Sequence, residues 1–175
     1  MVKSSNAQID QDEKKVIVEL KKNSNEKIET IAKHCGFSRQ KTWRIIKRLE
    51  AEGLIWGYTA VCNDDKIGLK HFVLMFKKTP KQLEENTIDT IISRKMEDAA
   101  EELGITIENS FYVHGEYDWM ATVTAEGIRQ VKKFSDAFFT MHPGAVQKIS
   151  ILQTMMFVRK QYILNPERKK LKEFF

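Results

Sequence analysis

The chain has 175 residues, 42% apolar and 30% charged, with a formal net charge of +5. That is enough for one ordinary domain or two small ones with a real core. No run of about eighteen apolar residues marks a transmembrane helix, and the opening MVKSSNAQIDQDEKK lacks the apolar stretch of a secretory signal. Two cysteines, Cys35 and Cys62, are too few to staple a fold or cage a zinc ion and suit a reducing cytoplasm.

Charge is unevenly spread. Residues 1–62 hold 12 Lys/Arg and 8 Asp/Glu, residues 63–158 hold 11 and 14, and residues 159–175 hold 6 and 2. A basic head on a mildly acidic middle suits a polyanionic partner, although +4 over sixty residues is also ordinary surface variation.

From Asp12 to Lys22, Val16, Ile17 and Leu20 share one helical face, with Asp12 and Glu13 favouring the dipole in the first turn. Asn23-Ser24-Asn25 breaks the pattern and offers Ser24 or Asn25 as the next cap. Ile28, Ile31, Ala32 and Cys35 then form an amphipathic stripe. Gly36 suits a left-handed helix end, and Ser38 suits an N-cap. Two short helices around such a turn are the sequence form of a helix-turn-helix. In the third helix, about Arg39 to Glu52, Thr42, Trp43, Ile45, Ile46 and Leu49 are assigned to one side, and Gln40, Lys41, Arg44, Lys47 and Arg48 to the other. Five Lys/Arg and no carboxylate lie between Gly36 and Leu49. An unmixed basic face with polar groups at its start matches the needs of a major-groove helix. Ser38, Arg39, Gln40, Lys41 and Arg44 are therefore candidates for DNA contact, and Lys47 and Arg48 for phosphates.

Residues 54–62, LIWGYTAVC, read as a strand leaving this helix. His71 to Lys78 reads as a buried strand. Thr79-Pro80 caps a long helix marked by Ile88, Ile91, Ile92, Ala99 and Leu103 and closed by Gly104. Strands follow at 105–113 and 119–124, a helix from Ile128 to Phe139, and a last long strand at 146–158. The order is βαββαβ, a ferredoxin-like unit. The expected class is thus α+β, with a head at 1–53, a hinge strand and linker at 54–69, a body at 70–158 and a basic tail at 159–175. The tail reads as a loosely ordered terminus or as a contact for DNA phosphates.

The IDQDEKKV opening, the GFS turn, the RIIKRLEAEGLI helix, the GLIWGYTA continuation and, in the body, VHGEYDWMATV and MHPGAV resemble the leucine-responsive regulatory protein/AsnC family. The resemblance covers the head and residues 70–158. It implies a transcription regulator that binds double-stranded DNA at a near-palindromic operator as a homodimer or higher homo-oligomer. In relatives the strand after the head pairs with its twin, which would put Trp56 and Tyr58 at the joint. The body sheets pack face to face, and amino-acid effectors bind near the turn that here is His114, Gly115, Glu116, Tyr117 and Asp118. Ile149 and Ile151 stand where relatives often have threonines, and the first body helix is longer than usual. The turn also has a purely structural reading, with Gly115 supplying a positive φ.

No catalytic, metal or cofactor motif is visible. The four histidines fall in unrelated segments, without HxH, HExxH or paired CxxC, and no GxSxG, P-loop or GxGxxG occurs. The alternative is an enzyme resembling the sirohaem decarboxylases, which share both domains; His114, assisted by His71, would then serve the reaction.

Overall fold

The computed structural model describes residues 10–93 and 95–175; residues 1–9, with Ile9 of the opening motif, lie outside the described residues, as do Arg94 and the side chain of Ile92. The chain divides into two compact units. One comprises the chain up to Val61 together with Val158–Phe175, and the other is Cys62–Phe157. Among the described residues no helix is long and apolar enough to cross a membrane.

The head is built on three helices, α1 (Gln11–Lys22), α2 (Ile28–Cys35) and α3 (Arg39–Ala51). A capping box opens α1: Asp10 accepts the Glu13 N–H at 2.7 Å, and Glu13 accepts the Asp10 N–H at 2.9 Å. Helix α2 begins without the expected cap. Ser24 and Asn25 stay in the turn, where Asn25 N–H donates to the Asn23 side chain, and Lys27 holds the N-cap position with no side-chain bond. Gly36 ends α2 at φ 72°, a left-handed conformation that favours glycine, and Ser38 caps α3 by accepting the Lys41 N–H at 3.2 Å. Val16, Leu20, Ile31, Cys35, Ile45 and Leu49 form the core of the three helices. Burial pushes the Cys35 thiol pKa up, as expected of a cysteine serving as a small apolar side chain.

No strand forms over 54–62. β-prone side chains make a strand only when a second segment completes the ladder, and no such pairing of this segment is found among the described residues. The tail also departs from expectation. It folds into a hairpin, β5 (Arg159–Lys160) with β6 (Ile163–Leu164), and a 3-10 helix at Arg168–Phe174, and it clusters with the head.

The body runs β1 (Lys70–Lys78), α4 (Glu85–Ile92), α5 (Lys95–Glu102), β2 (Thr106–Tyr112), β3 (Trp119–Ala125), α6 (Ile128–Met141) and β4 (Val146–Gln153). All pairings are antiparallel, in the order β2-β3-β1-β4, which is the ferredoxin-like sheet. Phe72, Leu74, Phe76, Ala121, Val123 and Ala125 alternate onto one face and pack against Met96 and Ala100 of α5 and Val131, Phe134 and Phe138 of α6.

Two body elements are shorter than the sequence suggests. The long helix is two helices separated at Ser93, which takes extended φ/ψ of −89° and 171°. It also starts later, at Glu85, because Thr79 gives its N–H to Ala145 O and its hydroxyl to Gly144 O instead of capping a helix. Ile88 is exposed rather than in the core. The last strand stops at Gln153, opposite Phe72, two residues from the start of its partner β1.

Candidate nucleic-acid interface

Thr42, Ile45 and Leu49 of α3 are buried in the head, whereas Arg39, Gln40, Arg44, Lys47 and Arg48 are exposed. Trp43, assigned by periodicity to the core side, is 53% exposed. At 100° per residue it stands 100° from Thr42 and 60° from Gln40. It therefore belongs with the outward face.

The basic residues are not equivalent. Arg48 Nη2 lies 2.6 Å from Glu13 Oε1, and that carboxylate is only 9% exposed. Lys41 Nζ lies 2.5 Å from Asp12 and 4.2 Å above the Phe37 ring. These two cations tie α3 to α1 and to the turn. Arg39 pairs with Glu29 of α2 at 2.8 Å, and Lys47 with Glu50 at 2.7 Å; both pairs are largely exposed and weak. Among the described residues Arg44 has no ion pair and no side-chain hydrogen bond, and it occupies the middle of the exposed face. Ser38 is engaged as the N-cap. Of the seven residues expected to contact DNA, Gln40, Arg44 and Lys47 lie in one outward strip with Arg39 beside it, and Lys41, Arg48 and Ser38 make contacts within the head. Trp43 was missed, and its helical spacing from Gln40 and Lys47 is the signal that places it in the strip.

Trp56 is 97% exposed, and Tyr58 donates its hydroxyl to Glu50 at 3.0 Å. Burial and that bond push the Tyr58 pKa up to about 12. Both aromatics lie in the segment 54–62, which forms no strand in the single chain. The head's own charge is large once the tail is included. Residues 10–61 and 158–175 hold seventeen Lys/Arg against ten Asp/Glu, net +7, while Cys62–Phe157 is net −3.

In the body, the turn residues do not converge on one pocket. His114, Gly115 and Glu116 are exposed. Tyr117 hydroxyl meets Ser150 Oγ at 3.2 Å, and Asp118 Oδ2 accepts the Lys78 N–H at 3.0 Å. Gly115 is not among the glycines with positive φ, so the turn does not use that freedom. Only Asp118 reaches a cavity of about 70 Å³ on the helix side of the sheet, walled by Phe76, Tyr112, Trp119, Phe134, Phe138, Leu83 and Ile91. Lys78 lines it too; its Nζ lies 3.5 Å from Tyr112 hydroxyl and 4.0 Å from Asp118 Oδ1. Ile149 and Ile151 pack against the core on this same side, so they do not fill the turn.

His71 and His114 sit apart. His71 begins β1, buried, with Nδ1 2.7 Å from Thr154 Oγ1, whereas His114 follows β2 near the other end of β1. Six strand residues separate those ends by about 20 Å. Among the described residues no group of three or more His, Cys, Asp and Glu could hold a metal ion.

The chain is thus a helix-turn-helix with an exposed polar and basic second helix, followed by a ferredoxin-like body. Residues 10–55 match the family model described as winged helix-turn-helix DNA-binding. Three solved structures are similar over nearly their whole length. An AsnC family transcriptional regulator from Agrobacterium tumefaciens is 18% identical, with TM-score 0.65, covering 91% of this chain and 98% of its own. A transcriptional regulator from Neisseria meningitidis, solved as an L-Met complex, is 14% identical, with TM-score 0.65 and coverage of 90% and 96%. The leucine response regulatory protein of Mycobacterium tuberculosis is 20% identical, with TM-score 0.61 and coverage of 89% and 100%. At these identities the likeness is one of fold. No curated protein matches the chain by sequence.

Proposed function

We propose that this protein is a sequence-specific DNA-binding transcription regulator of the AsnC/Lrp type. The observation that carries the reading is Arg44: exposed, unpaired among the described residues, and central on α3 between Gln40 and Lys47. A guanidinium so placed suits the O6/N7 edge of guanine, and the Gln40 amide suits adenine. The cations of the head and tail supply the sequence-independent attraction to phosphate.

A homodimer presents two such helices to successive major grooves, so the operator is near-palindromic. The sheet face opposite the helices supports this assembly. Phe111 and Leu152 are exposed there, and Val73, Met75 and Met120 are only half-buried. Such apolar exposure on one side of a sheet suits a second copy. The chemistry of the body cavity suits an amino-acid effector better than that of the exposed turn, although at about 70 Å³ the cavity must widen to admit one. Its lining is apolar, and its rim carries one cation and one anion, Lys78 and Asp118, which match a zwitterion with an apolar side chain. Binding would act by favouring one assembly or head spacing over another. The separation of His71 and His114 removes His71 as an assistant in the decarboxylase-like alternative, which then rests on the exposed His114 alone.

Selection of duplexes from random DNA at two salt concentrations tests the reading. The expected result is a consensus with twofold symmetry and an affinity that falls steeply with salt. No enrichment, or binding undiminished by Arg44→Ala, refutes it.

A further inference from the structure

The outward strip of α3 is Gln40, Trp43, Arg44 and Lys47, residues at i, i+3, i+4 and i+7, which share one helical face. Ion pairs define its margins. Lys41 and Arg48 are drawn towards α1 by Asp12 and Glu13, and Arg39 towards α2 by Glu29. The side chains that project between these margins are an amide, an indole, a guanidinium and an ammonium. Three are hydrogen-bonding groups suited to base edges or phosphate. The fourth, Trp43, exposes half of a large apolar ring in the middle of a polar surface, while Thr42, Ile45 and Leu49 are the α3 side chains buried beneath, with Ile46 packed beside them.

We propose that Trp43 is a specificity-determining DNA contact that packs its indole face on a thymine C5-methyl group in the major groove. This rests on the regulator reading above and adds the chemistry of one recognised base. The indole has a broad apolar plane, one N–H donor and no acceptor, so it cannot pair with the amino groups of adenine or cytosine. Thymine is the one base that offers an apolar group on the major-groove floor. Gln40 and Arg44, one helical turn back and one residue on, then read neighbouring bases by hydrogen bonds, and the methyl contact sets which position must be thymine.

The test uses the full-length protein and its selected operator. Each thymine is replaced singly by deoxyuridine, which removes the methyl and leaves base pairing intact. The parent should lose affinity at one position per half-site by about fourfold, the worth of one buried methyl group. Trp43→Ala should bind the thymine operator more weakly and no longer distinguish thymine from deoxyuridine there. Trp43→Phe, which keeps an apolar ring, should retain the discrimination. Unchanged thermal unfolding of both variants would show that the effect is on recognition and not on folding. A parent indifferent to every thymine-to-deoxyuridine change overturns the proposal, as does a Trp43→Ala variant that discriminates like the parent; the first of these also covers an indole that touches only sugar and phosphate. A parent that binds no duplex at all overturns the regulator reading with it.

Discussion

Arg44 and Arg48 lie one helical turn apart on α3, and the structure assigns them opposite fates on replacement by alanine. Glu13 Oε1 receives Arg48 at 2.6 Å, and Oε2 of the same carboxylate accepts the Asp10 N–H at 2.9 Å. Removing Arg48 leaves a carboxylate that is 9% exposed without its cation. Breaking a fully buried pair costs about 3–5 kcal/mol and an exposed one under about 1 kcal/mol. With one partner buried and the other half-exposed, Arg48→Ala should cost the head about 1–2 kcal/mol. For a unit of this size that lowers Tm by roughly 5–15 °C. Arg44 has no partner to lose, so Arg44→Ala should leave unfolding within about 0.5 kcal/mol of the parent. Its specific DNA affinity should instead fall by about 1–3 kcal/mol, roughly 5- to 150-fold. Thermal unfolding by circular dichroism and fluorescence anisotropy with operator and scrambled duplexes, measured well below Tm, separate the two. If Arg48→Ala unfolds like the parent and loses DNA affinity as Arg44→Ala does, the Glu13 pair is not made and the division of the basic face is wrong.

Three further outcomes are expected. His142 is buried against Phe138, with Nε2 unpaired among the described residues, and burial lowers its pKa below 6.5. The unfolded chain then takes up that proton at higher pH than the folded one. Body stability should therefore be full above about pH 6.5 and fall as pH drops below it, and His142→Phe should flatten that slope in unfolding curves between pH 7.5 and 5. A chain ending at Leu164, without Arg168, Lys169, Lys170 and Lys172, should bind operator and non-specific DNA more weakly by a similar factor and show a shallower salt dependence; an unchanged slope would separate the tail from the DNA. Ala121→Leu fills the body cavity from its sheet wall and should abolish any amino-acid-induced shift in oligomer size, measured by light scattering, while Glu116→Ala, in the exposed part of the turn, should preserve it.

Much of the head is local and so was legible in the chain itself. The periodicity of Val16, Leu20, Ile31, Cys35, Ile45 and Leu49, the left-handed Gly36 and the Ser38 cap are each set within a few residues, and all reappear in the structure. The βαββαβ order followed for the same reason, since each element carries its own alternation. What the tertiary structure decided depends on groups distant in sequence. Asp12 meets Lys41 and Glu13 meets Arg48 only because α1 and α3 pack together, and those pairs turn an apparently uniform basic face into a narrow strip. Trp43 lies between the two faces by helical angle, and the core filled by Thr42, Ile45 and Leu49 placed it outside. β-propensity at 54–62 met no pairing segment among the described residues, and the last strand stopped at its pairing with Phe72, two residues from the start of β1. The tail's charge joined the head's through chain folding that composition does not encode. Propensity is a property of neighbours along the chain, whereas charge pairing, strand completion and exposure are properties of neighbours in space.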